Sequence, residues 1–223
     1  MSTVVYPVIV KPKMEAVSYG LQVVDNEKDL KEAVAFIVEE FQQQALVEQF
    51  IRGREFCVGL LGNEETRTFP IVEIDLENDP DAIQSVDDKK VQPRRKICPA
   101  VLDADKNHAL VTAALQAFRA LELKDFARVD FRMDETGNIY VLEINSMASL
   151  GRTGSYVQAA AAAGLDYQKL INAMLNAAAE RYFSSPPPSL PASEQSTGFI
   201  RLRTFLSSRE QKTVKLLEQM VNI

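Results

Sequence analysis

The stretch that decides the fold is FARVDFRMDETGNIYVLEINSMASL, Phe126 to Leu150. Two apolar runs, Phe126 to Met133 and Ile139 to Asn145, flank Asp-Glu-Thr-Gly-Asn, a turn signal that predicts a β-hairpin. Side chains alternate along a strand. Arg128 and Asp130 therefore share one face, with Val129 and Phe131 on the other. Glu143 and Asn145 likewise share a face, with Leu142 and Ile144 opposite. If the turn pairs Met133 near Tyr140, Asp130 falls opposite or diagonal to Glu143. Two carboxylates and an amide oxygen on one strand face are costly unless something compensates them. A hard cation with oxygen ligands would do so, and magnesium fits best, because it uses few carboxylates and takes further ligands from phosphates. Arg128 beside them could hold phosphate bidentately. The alternative is a solvated face whose charges are incidental.

Outward from the hairpin, the chain alternates strands and helices. Upstream, YPVIVKP predicts a buried strand over Pro7 to Lys11, and LQVVD a second strand. Asn26 can cap a helix running to about Phe41, with Leu30, Val34, Ile37, Val38 and Phe41 as its apolar stripe. ALVEQFI and REFCVGLLG are strands joined by Arg52-Gly53-Arg54, and FPIVEIDL is another. Asp79 to Arg95 is charged and polar, so a mobile surface loop is expected there. Asp103 or Asp105 caps a helix to about Leu121. Downstream, helices are expected at Ser155 to Ala163 and at Tyr167 to Phe183, the second capped by Asp166. This pattern argues an α+β fold with mostly antiparallel sheets and packed helices, filling residues 1–183. Residues 184–198 form a Pro/Ser-rich linker, and 199–223 a helical tail that could open a further domain.

Composition bounds the function. The 223 residues carry a net charge of −6, which excludes a basic nucleic-acid binder. No apolar run reaches the roughly 18 residues that a membrane span needs. The N-terminal residues lack the layout of a signal peptide. Cys57 and Cys98 read as reduced core thiols, and with one histidine a zinc site is not expected. A cytoplasmic protein is the expectation.

Three further segments bear on the site. VIVKP ends an apolar strand in Lys11 and leads into the loop Glu15-Ala-Val-Ser18-Tyr-Gly20, which could fold over phosphates. VEQFIRGREF places Glu48 in one strand and Glu55 at the start of the next, and acceptors there could receive hydrogen bonds from a nucleotide. Edge-strand charge against aggregation is the other reading of those glutamates.

VKPKMEAVSYG, VEQFIRGREF, ARVDF and VLEINSMASLG occur in that order and at suitable separations. Together they resemble the ATP-grasp superfamily, and within it the D-alanine–D-alanine ligase-like carboxylate–amine ligases. The resemblance covers about Tyr6 to Phe183 and implies the ATP-grasp fold without its N-terminal domain. It implies ATP and Mg2+ as cofactors, with a small-molecule carboxylate and an amine (an amino acid or peptide-like compound) joined through an acyl phosphate. It implies that Lys11 contacts phosphates and that Glu15 and Ser18 belong to the loop closing over them. Glu48, Gln49 and Ile51 would line adenine, and Glu55 would hold the ribose. Lys89 or Lys90 would add a second positive charge. Arg128 would stabilise developing negative charge, and Asp130, Glu143 and Asn145 would bind magnesium. Arg152, Gly154 and Ser155 would face the substrate carboxylate at a helix start.

Two departures fall on the substrate side. Ala16-Val17-Ser18 replaces a Gly-Ser-Ser-like loop, and Met147 to Arg152 replaces a Pro-Gly turn. A third is the absence of an N-terminal domain, so the chain is expected to be a fragment of a larger enzyme. Its partner would be a missing N-terminal domain or subunit, or a second copy in a homodimer. The competing expectation is a non-catalytic nucleotide-binding module or an inactive truncated ligase.

Overall fold

The structure, a computed structural model, describes residues 4–84 and 93–183. These residues divide into two compact units between Leu170 and Ile171. The first unit holds two antiparallel sheets. The smaller has the order β2-β1-β3, from β1 (Val8–Pro12), β2 (Gln22–Val24) and β3 (Ala45–Gln49). The larger has the order β7-β6-β4-β8-β9. It is built from β4 (Arg54–Leu61), β6 (Val72–Ile74), β7 (Lys96–Ile97), β8 (Phe126–Met133) and β9 (Ile139–Asn145), with β5 (Arg67–Thr68) paired to the end of β4.

Each sheet buries one face against a helix. Alternation along VIVKP turns Val8 and Val10 toward α1 (Glu27–Phe41), where they meet Val24, Ala33 and Ile37. Ile9 and Lys11 take the other face. In the large sheet Phe56, Val58, Leu60, Val129 and Phe131 pack with Leu110, Ala114 and Phe118 of α2 (Ala104–Ala120). Each of these large side chains contributes about 1.5–3 kcal/mol by leaving water. The helices start where their caps predict. Asn26 accepts from the Asp29 N–H, Asp103 from that of Lys106, and Asp166 from that of Lys169 at the head of α4 (Tyr167–Phe183).

The hairpin turn is held by Asp134, which accepts from the Thr136 hydroxyl, the Asn138 N–H and the Tyr140 hydroxyl. Gly137 sits there at φ 85°, a left-handed geometry that glycine adopts freely. Gly59 in β4 has a different role. A Cβ there would come within 2.9 Å of Phe69 and 3.0 Å of Tyr156, so its absence lets α3 (Ser155–Ala162) approach the sheet.

Several expectations need correction. β1 begins at Val8 and includes Pro12. Strands β5 and β7, two residues each, are too short to show periodicity. Val38 is 49% exposed, because it lies one position beyond the stripe that Leu30, Ala33, Val34, Ile37 and Phe41 form. The described part of the 79–95 loop is tied down: the Pro80 and Ala82 carbonyls accept from Arg132, and the Asp75 N–H donates to Arg95. Lys89, Lys90, the linker and the tail lie outside the described residues.

Candidate functional site

The face of the large sheet away from α2 gathers the polar residues into rows. In the first row Lys96 pairs with Ile74, Ile74 with Glu55, Glu55 with Arg132 and Arg132 with Tyr140. In the next row on that face Cys57 pairs with Asp130 and Asp130 with Glu143. In the third, Gly59 pairs with Arg128 and Arg128 with Asn145. Directly opposed residues in antiparallel strands point to the same side. Asp130, Glu143, Arg128 and Asn145 therefore converge.

They do so through a device absent from the sequence reading. The turn pairs Met133 with Ile139, not Tyr140, and the register shifts by one between Asp130 and Phe131. Without that shift, Leu142 would lie opposite Asp130, and Glu143 would turn to the α2 side. A bulge that re-aims a side chain in this way is common beside functional sites.

The Arg128 guanidinium donates to both oxygens of Asp130, Nε to Oδ1 at 2.6 Å and Nη2 to Oδ2 at 2.7 Å. The Asn145 amide donates to Asp130 Oδ2 at 3.0 Å and to Glu143 Oε1 at 3.2 Å. Burial pushes the Asp130 carboxyl up to about 6, against the opposing pull of Arg128. Burial alone would lower the Arg128 pKa, but its hydrogen bonds to Asp130 carry it upward. Both groups are charged at neutral pH. Beneath them lies the Cys57 thiol, pushed up to about 12 by burial and by Asp130.

The small sheet contributes Lys11, whose Nζ lies 2.5 Å from Glu48 Oε2 on the face away from α1. Lys11 makes no ion pair with Asp130 or Glu143. Gln49 closes β3 opposite Val8. The β1–β2 loop is wound into turns, with Val17 and Ser18 left-handed at φ 53° and 62°. The Tyr19 N–H donates to Ala16, and Glu15 accepts from Gln43 at 2.8 Å. Between the sheets, the Ile51 carbonyl accepts from Arg132, and Glu55 takes hydrogen bonds from Arg132 and from Gln84.

At the start of α3, Gly154 is the N-cap residue and its N–H donates to the Gly151 carbonyl at 2.8 Å. Ser155 is buried, and its hydroxyl pulls the Cys57 pKa down against the larger effect of burial. The Arg152 guanidinium lies 4.4 Å over the Tyr167 ring. The structure thus unites Arg128, Asp130, Glu143 and Asn145, and separately Lys11 with Glu48. Arg132, Gln84 and Lys96 were not singled out in the sequence, and Cys57 was read there only as a core thiol. Lys96 is half-buried, and its pKa is pulled down by burial and by the charge of Arg128, against an upward pull from Cys57. Arg132 was findable, because it continues the i, i+2, i+4 series of Arg128 and Asp130.

Residues 1–176 match the family described as the D-ala D-ala ligase C-terminus. The chain belongs to this family. A protein of Sinorhizobium fredii described only as uncharacterized y4sG is 43% identical over 183 residues, 81% of this chain and 54% of that protein. The D-alanine–D-alanine ligase of Alcanivorax borkumensis is 35% identical over 176 residues, 79% of this chain and 55% of the ligase. The solved D-alanine–D-alanine ligase of Coxiella burnetii has a TM-score of 0.67 at 21% identity, covering 88% of this chain and 49% of its own. That of Bacillus anthracis, complexed with ATP, has a TM-score of 0.64 at 22% identity, covering 79% of this chain and 53% of its own. These likenesses show an ATP-grasp α+β fold. The chain spans about half the length of the curated D-alanine–D-alanine ligases it matches.

Proposed function

We propose that this family member binds ATP and magnesium for a carboxylate–amine ligase reaction. The observation that carries the reading is the register of the ribbon, with Asp130 opposite Glu143 and Arg128 opposite Asn145. The donor set fits magnesium. Asp130 and Glu143 are hard carboxylates, and Asn145 can offer its amide oxygen once the amide turns from the carboxylates it now bridges. Burial of Asp130 adds to the fit, since a desolvated carboxylate is stabilised by a cation. When bound, magnesium would offset repulsion between a triphosphate and an anionic carboxylate.

The remaining roles belong to the chain. Arg128 holds Asp130 now and can turn its fork to phosphate oxygens. Lys11, already turned to the face of the small sheet away from α1, neutralises phosphate charge, with Lys89 or Lys90 as a second cation. Glu15 and Ser18 shield the phosphates from water. Glu48, Gln49 and Ile51 border the base, and Glu55 receives the ribose. Arg152, Gly154 and Ser155 border the acid substrate. In the reaction the carboxylate attacks the γ-phosphorus and ADP leaves. The amine then attacks the acyl carbon, phosphate leaves and the amine loses a proton. The amine and the acid are amino-acid-like, in keeping with the ligases to which the chain is related.

Calorimetric titration with ATP, with and without magnesium, tests the reading. Binding is expected only with magnesium, and Glu143→Ala should reduce it at least about 100-fold while circular dichroism stays unchanged. Equal affinity in the variant would overturn the metal assignment. The second reading is a nucleotide-binding module without catalysis. ADP release that depends on an added amino acid would decide against it.

A further inference from the structure

The nucleoside end of the site holds a buried charge with no role in the reading above. Arg132 is 3% exposed. Its Nη1 donates to the carbonyls of Ile51 at 3.2 Å, Gly53 at 3.4 Å and Pro80 at 3.4 Å. Its Nη2 donates to the Ala82 carbonyl at 2.5 Å and to Glu55 Oε2 at 3.3 Å. The guanidinium lies 5.3 Å over the Phe50 ring. One side chain thus ties together the crossing segment between the sheets, the start of β4 and the 79–84 loop.

Burying a guanidinium is expensive, and an apolar side chain of similar volume often stabilises a site as well. What arginine adds is direction, because its planar fork fixes several acceptors at once. The two oxygens of Glu55 are held differently. Oε2 faces the Arg132 cation, which is anchored by four carbonyls. Oε1 accepts from the neutral Gln84 amide, a partner that a ligand hydroxyl can replace. The Ile51 carbonyl is turned to Arg132, while its N–H makes no hydrogen bond among the described residues.

We propose that Arg132 is a positioning residue for nucleoside recognition: it fixes Glu55 with one oxygen available to a ribose hydroxyl, and fixes the Ile51 backbone so that its N–H is available to the base. This rests on the proposed nucleotide site.

The test uses the 223-residue chain and calorimetric Kd values for magnesium with ATP, 2′,3′-dideoxyATP and ADP. Wild type is expected to favour ATP over the dideoxy compound about tenfold, the value of one hydrogen bond to a charged group. Arg132→Met should bring that preference to within about twofold, as should Glu55→Gln, and the double variant should lose no more. The ATP-to-ADP ratio, which reports the phosphate end, should stay as in wild type in Arg132→Met; a general collapse of the site would move it. If Arg132→Met does not fold, Arg132→Lys carries the test, because an ammonium cannot span the same acceptors and the preference should fall to about threefold. A wild-type preference kept in either arginine variant overturns the proposal. So does a wild type that binds ATP without favouring the hydroxyls, which leaves the nucleotide site standing. A wild type that binds no ATP overturns the nucleotide site and this inference together.

Discussion

The two ends of the site face are each organised by an arginine on β8, and the two arginines are used differently. At one end, Arg128 donates twice to the single carboxylate of Asp130, and its side chain is 18% exposed. At the other end, Arg132 spreads its donors over four carbonyls and a carboxylate, and its side chain is 4% exposed. A contact concentrated on one partner can be exchanged for a ligand. A contact divided among three segments cannot be moved without moving the segments. The strand thus carries an adaptable cation and a fixed one, four residues apart on the same face.

The comparison can be broken most directly at the fixed end. Arg132→Met should cost about 3–5 kcal/mol in urea unfolding, because it strands Glu55 in a part-buried position and releases four carbonyls. A cost below about 1 kcal/mol would show that Arg132 anchors nothing.

The next effect belongs to Asp130. Burial holds its carboxyl at about 6, above the ordinary 3.8. The native state takes up this proton at a higher pH than the unfolded chain does. The stability from this group is full below pH about 4 and is lost as pH rises through about 6, roughly 3 kcal/mol in total. Asp130→Asn removes this dependence. The difference between variant and wild-type stability should therefore grow in the variant's favour from pH 4 to pH 7, as measured by urea unfolding at each pH.

Arg128→Met should cost about 2 kcal/mol at pH 7. The cost should shrink at pH 5, where the unpaired Asp130 takes a proton. A pH-independent cost would mean that Arg128 is as fixed as Arg132.

The smallest effect is local. With Cys57 buried and its thiol pushed up to about 12, iodoacetamide at pH 8 should label the half-buried Cys98 and spare Cys57 until urea is added. Equal labelling in the native state would show that the space beside Asp130 is open to solvent.

Much of this was legible in the sequence. Period-2 alternation in ARVDF and LEIN carried the shared face of Arg128, Asp130, Glu143 and Asn145, and the Asp-Glu-Thr-Gly-Asn turn carried the hairpin. The helix caps at Asn26 and Asp166 were plain from residue type. The bulge was not, because Tyr140-Val141-Leu142 is apolar throughout and no polar residue marks the slip. The anchoring of Pro80 and Ala82 was hidden for another reason. It depends on a side chain about fifty positions away, and composition reports only that the loop is charged. Arg132 was visible in phase with its neighbours, but its burial comes from tertiary packing, which a strand pattern does not encode.

The bulge has a second consequence, at the rim of the sheet. Among the described strands β9 has β8 on one side and no neighbour on the other, and it exposes Tyr140, Val141 and Leu142 in succession. A straight apolar border of that kind invites another chain to add itself as a further strand. The register slip kinks the border and interrupts its spacing of donors and acceptors, so the irregularity that aims Glu143 also spoils the template for self-association.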